Sequence, residues 1–193
     1  MRIIAGSNRG RWIKGAPKDL PVHPISARIK KSVFDILRPK LEGARFLDLY
    51  AGTGAVGLEA LSRGALSAFF VDRDKRCLAV IEANLQRLNL GSAGKVCFGD
   101  VLQDLSWIPF RAGLNEFDIV YMGPPYRDGD NRMLAYSTPT LARVAEAKLL
   151  APGGWALLQR YKKERVELPV GLERFRTERY GDTDVEFLRR SAL

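Results

Sequence analysis

The run Asp48-Leu49-Tyr50-Ala51-Gly52-Thr53-Gly54-Ala55-Val56-Gly57 sets a carboxylate inside an apolar segment and follows it with three glycines. Glycines in a strand-to-helix turn let backbone N–H groups approach a ligand, because no Cβ intervenes. Gly52-x-Gly54-x-x-Gly57, with Asp72 twenty residues beyond Gly52, fits an adenosine-containing ligand whose ribose hydroxyls Asp72 would bind. That spacing alone leaves a nicotinamide dinucleotide open. Asp48 tilts the choice, since a buried carboxylate repels a pyrophosphate and favours a cationic amine or sulfonium. S-adenosylmethionine carries both cations and is the expected cofactor. Asp100, in Phe98-Gly99-Asp100, is placed to accept from the adenine amino group with Phe98 alongside, or to cap a helix, or both. Asp48 serving only the turn backbone is the plain alternative.

A second constellation is Gly123-Pro124-Pro125-Tyr126. Two prolines fix the backbone and remove N–H donors, leaving carbonyls as acceptors, and Tyr126 offers a flat face for a base. Methylation of an exocyclic amine needs such parts. The nitrogen is conjugated and weakly nucleophilic, so its N–H protons must be held while the lone pair points at the methyl. Positioning alone can lower such a barrier by up to roughly 7–11 kcal/mol. No metal is required, and Cys77 and Cys97 lack zinc-ligand spacing and read as reduced, buried thiols. His23, the only histidine, reads as a phosphate or loop contact rather than a base.

These residues need elements to hold them. Ile3-Ile4 and Trp12-Ile13 flank a Gly-rich stretch and predict a short hairpin. Ser26 reads as the N-cap of a helix with Ile29, Val33, Phe34, Ile36 and Leu37 on its apolar face, Arg28, Lys30 and Lys31 turned away from it, and Pro39 at its end. Strands are expected at 46–50, 68–72, 95–98, 117–122 and 155–159, with helices at 56–62, 75–88 and 134–150. The Pro152-Gly153-Gly154 run should stop the last helix. Two further strands, around 175–180 and 185–188, flank a Gly181-Asp182 turn. Continuous apolar strands between helices indicate a doubly wound, mostly parallel α/β sheet ending in an antiparallel hairpin, with its ligand at the C-terminal strand ends. Two regions are expected: a small basic N-terminal extension over 1–43 and the α/β domain over 44–193.

The chain has 193 residues, 46% apolar and 27% charged, enough apolar content for one core and too much for disorder. No apolar run approaches the roughly 18–20 residues of a bilayer span, and the opening residues lack a signal-peptide pattern. A cytoplasmic location with no membrane association is expected. The formal net charge is +9, and its distribution is steep. Residues 1–45 hold eleven basic residues against three acids, a net of +8, which leaves +1 for the other 148. A polyanion against the N-terminal segment is indicated, nucleic acid first, with a merely solvated basic face as the alternative. Arg9, Arg11, Trp12, His23, Arg28, Lys30 and Lys31 are the candidate contacts. Trp12 could stack on a base or plug the hairpin against the sheet.

Taken together, these stretches resemble the class I methyltransferases that act on amino groups, and more closely the RsmD family. The similarity runs through Arg2 to Gly6, Gly10-Arg11, Pro24 to Phe34 with Arg28 and Ser32, Leu47 to Ala65, Pro124-Pro125-Tyr126, and Tyr180-Gly181-Asp182-Thr183 with Phe187-Leu188. The resemblance implies transfer of a methyl group from S-adenosylmethionine to the N2 amine of a guanine in small-subunit ribosomal RNA, by a monomer. It implies a cofactor site on Asp48, Ala51, Gly52, Thr53, Gly54, Asp72, Arg73, Gly99, Asp100 and Val101, and a catalytic loop of Gly123, Pro124, Pro125 and Tyr126. The chain departs from the family pattern at Gly123, where an acid or amide is usual, leaving the Pro124 carbonyl and, as substitutes, Asp128 or Asp130. It departs too at His23-Pro24-Ile25, where Arg-Pro-Thr is common, and at Lys31 and Gln159, where Glu is frequent. Gly123 leaves open an RNA-binding assembly factor of weakened catalysis, and the Pro-Pro-Tyr motif, which serves both nucleic acids, leaves open an amino-methyltransferase for DNA or another RNA.

Overall fold

The computed structural model describes residues 1–16, 20 and 25–191. The elements run α1 (Ala27–Leu41), β1 (Arg45–Leu49), α2 (Ala55–Ser62), β2 (Ser67–Asp72), α3 (Lys75–Leu88), β3 (Gly94–Phe98), α4 (Trp107–Ala112), β4 (Phe117–Met122), α5 (Ser137–Glu146), β5 (Leu150–Tyr161), β6 (Leu172–Tyr180) and β7 (Thr183–Arg190). Among the described residues, seven strands form one sheet in the order β3-β2-β1-β4-β5-β7-β6. The first five are parallel, and β7 and β6 close it as an antiparallel hairpin. The doubly wound α/β fold with its terminal hairpin is thus the observed one.

Strand side chains alternate between faces, and this splits the core in two. Phe46, Phe70, Ile119, Leu157 and Phe187 meet α1, α2 and α3 on one face, while Leu47, Val71, Val120, Met122 and Leu158 meet α4 and α5 on the other. The N-terminal hairpin joins the first of these clusters through Ile3 and Ile13, both buried. Its arms exchange bonds from Ile3 N–H to the Arg11 carbonyl (3.0 Å) and from Gly10 N–H to the Ile3 carbonyl (2.9 Å). No helix among the described residues is long and apolar enough to cross a membrane.

Several boundaries differ from expectation. Pro39 lies inside α1 rather than at its end. It sits in the last turn, where it deprives the Asp35 carbonyl of its intrahelical donor, yet the helix runs on to the buried Leu41. The helix expected over 134–150 covers only Ser137–Glu146, and β5 begins at Leu150. Pro152-Gly153-Gly154 is a bulge inside β5: Phe117 pairs with Leu150 while Ile119 pairs with Trp155. Leu78 is only half-buried, and Asn84 joins Cys77, Ile81, Leu85 and Leu88 on the inner face of α3. Helix α4 was not expected; its six residues, with Pro109 among them, are too few to show a period.

Candidate active site

The strand order reverses between β1 and β4, the position at which a parallel α/β sheet opens a crevice above its strand ends. Asp48 on β1 and Tyr121 on β4 are direct register partners and so face the same side. Tyr121 in turn pairs with Leu157 on β5, and Gln159, two residues on, shares that face. A pocket results, lined by Asp48, Ala51, Gly52, Thr53, Tyr121, Gly123 and Gln159 together with Ile25, Tyr50, Ala55 and Val56. A roomier cavity of about 550 Å³ lies beside β3 between Val96, Cys97, Phe98, Gly99, Trp107 and Arg111, but no carboxylate lines it.

The turn from β1 into α2 passes through three left-handed residues, Tyr50 (φ 62°), Gly52 (φ 56°) and Gly54 (φ 76°). Tyr50 is the strained one, since a side chain disfavours that region, and its hydroxyl is anchored on Thr140 Oγ1 at 2.7 Å. Asp48 is buried, and one of its oxygens accepts the Gly57 N–H at 2.8 Å. Burial pushes its carboxyl up to about 8; the Gly57 N–H opposes this and the Asp72 charge adds to it. A methyl-sized group at Gly57 has no room, because a Cβ there would sit 2.3 Å from the Phe70 ring.

Asp72 closes the loop from the end of β2. Its oxygens accept from Gly52 N–H (2.7 Å) and Asp74 N–H (2.9 Å), and burial raises its pKa. Arg73 beside it is exposed. At the end of β3, Gly99 is buried against Trp107, and Val101 is buried in the core. Asp100 accepts from Leu102 N–H at 3.0 Å and caps a turn, not a helix. Phe98 is exposed on the sheet edge beneath the Lys75 ammonium. Every expected cofactor residue therefore stands at the C-terminal end of β1, β2 or β3. Two carboxyl groups, Asp48 and Asp72, on one wall suit a ligand with a cationic centre, which favours their ionised form, and two vicinal hydroxyls. S-adenosylmethionine fits that donor set. Among the described residues no three His, Cys, Asp or Glu side chains gather as a metal site.

Across the crevice, Gly123, Pro124, Pro125 and Tyr126 leave the end of β4. Gln159 holds the tyrosines on either side of the turn: Tyr121 donates its hydroxyl to Gln159 Oε1 (2.7 Å), and Gln159 Nε2 donates to the Tyr126 hydroxyl (3.0 Å). Tyr126 then donates to Thr183 Oγ1 at 3.4 Å. Burial raises the pKa of both phenols, that of Tyr121 far more and with Asp48 contributing, so both stay protonated. Asp128 does not reach the site. Its Oδ1 caps the N–H groups of Asp130 and Arg132 within its own loop, and Asp130 is exposed beside Arg132.

The sequence reading missed Tyr50, Tyr121, Gln159 and Asn84. Counting by twos back from Gly123 and along β5 would have found Tyr121 and Gln159. Asn84, on the inner face of α3, takes the Lys14 N–H (2.7 Å) and donates to the carbonyls of Lys14 (3.1 Å) and Thr53 (3.2 Å). It ties the N-terminal extension to the glycine loop.

The basic candidates divide. Arg9 and Arg28 are exposed and make no ion pair among the described residues. Lys31 is exposed but paired with Asp35 at 2.6 Å. Trp12 is 55% exposed with the Arg2 guanidinium 4.5 Å from its ring centroid. Arg11 reaches the last turn of α3, donating to Asn8 Oδ1 and to the Leu88 and Arg87 carbonyls. Lys30 is not an RNA contact. It is buried against Glu59 and donates to the Arg2 carbonyl, because α1 packs on α2 where an open face was expected. His23 lies outside the described residues.

A family model described as Conserved hypothetical protein 95 matches residues 1–189. YlbH of Bacillus subtilis (strain 168), provisionally named an rRNA methyltransferase, is 33% identical over 193 residues, covering 98% of this chain and 99% of the relative. Ribosomal RNA small subunit methyltransferase D of Escherichia coli (strain K12) is 29% identical over 198 residues, covering 96% and 94%. The solved structure of a hypothetical protein from Thermus thermophilus superposes with a TM-score of 0.76 at 29% identity, over 98% of this chain and 99% of that one. A whole-chain family match, a relative this similar along its full length and the fold agree, and the chain belongs to the RsmD family of methyltransferases.

Proposed function

We propose that this chain transfers a methyl group from S-adenosylmethionine to the exocyclic N2 amine of a guanine in small-subunit ribosomal RNA. The observation that carries the reading is one pocket in which Asp48 and the glycine loop face Gly123 across the β1–β4 crevice. Asp48 and the glycine loop would hold the cofactor there, and it would supply an electrophilic methyl group for the amine nitrogen, whose proton would leave to water. Asp48 faces the cationic centre, Asp72 the ribose hydroxyls, and Asp100 the adenine amine, with Ala51, Gly52, Thr53, Gly54, Arg73, Gly99 and Val101 shaping the cradle. The Pro124 carbonyl accepts no hydrogen bond from the described residues and in this reading would take an amine N–H. The Tyr126 ring, fixed by Gln159 and Thr183, presents a face to the base. Positioning of this kind, without covalent catalysis or a metal, suffices for amine methylation.

Residues 1–43 act in this reading as the RNA-gripping extension of the 44–193 catalytic domain. Arg9, Arg28, Lys31, Arg11 and Trp12 meet the phosphates and an unpaired base, and the target guanine is presented unstacked. In this reading the protein works in the cytoplasm, where its ribosomal substrate is, and as a monomer, since one chain contains both halves of the pocket. The names of YlbH and of the Escherichia coli enzyme, which refer to rRNA and to the small ribosomal subunit, support this substrate. Labelled methyl transfer to small ribosomal subunits lacking the modification tests it. Incorporation at one guanine N2 is expected. Retained cofactor and RNA binding without incorporation would make the chain a binding protein on an enzyme's frame.

A further inference from the structure

Position 123 carries no side chain at the one place where the proposed reaction needs acceptors for amine protons. The pocket wall fills that gap from a neighbouring residue. A Cβ built on Gly123 would lie 3.1 Å from Tyr121 Cε1 and 3.5 Å from the Tyr121 hydroxyl oxygen. The phenol therefore stands where a side chain at 123 would reach. It arrives from two residues earlier, on β4, whose alternation carried one residue past the strand end points both positions to one face.

We propose that the Tyr121 hydroxyl is a substrate-touching catalytic group, accepting an N–H of the target amine in place of a side chain at position 123. The hydroxyl has one proton and two acceptor lone pairs. Its proton goes to Gln159 Oε1 at 2.7 Å, so its lone pairs are what it offers the pocket. The other end of the amide, Nε2, donates to the Tyr126 hydroxyl at 3.0 Å. Donation thus runs from Tyr121 to Gln159 to Tyr126 to Thr183, and in either sense of the run the Tyr121 oxygen keeps a lone pair for the pocket. Burial and the neighbouring Asp48 keep the phenol neutral, as an acceptor facing a developing positive nitrogen should be when it is not the base. With the Pro124 carbonyl as the second acceptor, both amine protons are held and the lone pair faces the methyl.

The inference rests on the methyltransferase reading, and its test separates the two. Tyr121→Phe removes one oxygen and keeps the ring that packs beside Gly123. Single-turnover methyl transfer to small ribosomal subunits lacking the modification is expected to slow at least tenfold. The Kd for S-adenosylmethionine by calorimetry should stay at its native value, while the Tm falls modestly because Gln159 Oε1 loses its donor. Adding Gly123→Asn to Tyr121→Phe supplies a carboxamide acceptor from the neighbouring backbone and is expected to restore most of the lost rate. A Tyr121→Phe chain that transfers at the native rate overturns the proposal. So does a loss that follows Kd, or one that Gly123→Asn leaves unchanged, since either assigns Tyr121 to the scaffold. Absence of transfer by the native chain overturns the methyltransferase reading beneath it, and the proposal with it.

Discussion

The Lys30 ammonium lies 2.9 Å from Glu59 Oε2, with the two side chains 3% and 0% exposed. Glu59, on α2, also accepts the N–H groups of Ile4 (2.8 Å) and Ala5 (3.0 Å) and the Arg63 guanidinium (2.8 Å). One carboxylate thus docks the N-terminal hairpin and α1 onto the α/β body. A buried charge that loses its partner is far more costly than a pair that never formed. Glu59→Ala should therefore destabilise the chain by about 3–5 kcal/mol in urea unfolding. Combining it with Lys30→Met, which removes the stranded ammonium, should recover part of that loss. A double variant as unstable as the sum of the singles would show that the two residues are not coupled.

Asn84 makes a second tie, nearer the chemistry. Its amide holds both backbone groups of Lys14 and the Thr53 carbonyl, a bridge from the extension to the glycine loop. Asn84→Ala leaves the buried Thr53 carbonyl unpaired, at about 1–3 kcal/mol, and frees both backbone groups of Lys14. It should speed amide exchange at Lys14 and weaken cofactor binding together. Asn84→Asp should be worse, since its carboxylate would face two carbonyl oxygens it cannot donate to. If cofactor affinity is untouched in both variants, the bridge is structural only.

What the sequence showed and what it hid follow from the range of each signal. The β1 turn was legible because three glycines, an inward acid and a downstream Asp72 all lie within one βαβ unit. The C-terminal hairpin was legible from its Gly181-Asp182 turn. The tail run Tyr180 to Thr183 could be matched but not explained until the fold placed it: Tyr180 donates to Ser32 Oγ at 2.5 Å and Thr183 receives Tyr126. Lys30 was misjudged because a helical wheel shows which face is apolar but not that a buried Glu59 waits opposite a lysine. The Pro152-Gly153-Gly154 bulge was read as a stop because those residues end helices as well as kink strands. Gly153 has φ 71°, and a Cβ on Gly154 would crowd the Asp118 carbonyl at 2.9 Å, so glycine is required there by the bulge itself. Tyr121 and Gln159 were hidden because their partnership spans 38 residues and two strands.

The RNA reading makes a prediction in which salt is the reporter. Each phosphate neutralised on a single strand contributes about −0.7 to the slope of log K against log salt concentration. Arg9→Ala and Arg28→Ala remove exposed cations and should each reduce that slope by about one unit or slightly less. Lys30→Ala removes an equal formal charge from a buried position and should leave the slope unchanged while lowering the Tm. Equal slope changes for all three would mean that net charge alone, and not a defined surface, governs binding.

Asp48 links cofactor binding to pH. Burial raises its carboxyl to about 8 from an ordinary 3.8, so between those values the folded chain holds a proton that the unfolded chain has released. Stability from this group is therefore greatest below about pH 4, declines as pH rises toward about 8 and is level above that. A cationic cofactor reverses the local preference, because a positive centre beside the carboxylate favours its ionised form. Binding at pH 7 must then expel the proton, so affinity should climb with pH up to about 8 and flatten beyond it. Calorimetry in two buffers of different ionisation enthalpy reads this directly, with release of about one proton per cofactor expected at pH 7. Asp48→Asn should bind more weakly, release no proton and show a level pH profile. Proton release that persists in Asp48→Asn would move the titrating group to Asp72, whose pKa is raised by its own burial. The cofactor's cationic centre would then have to face the ribose-side acid, and the orientation assigned to it in the pocket would be reversed.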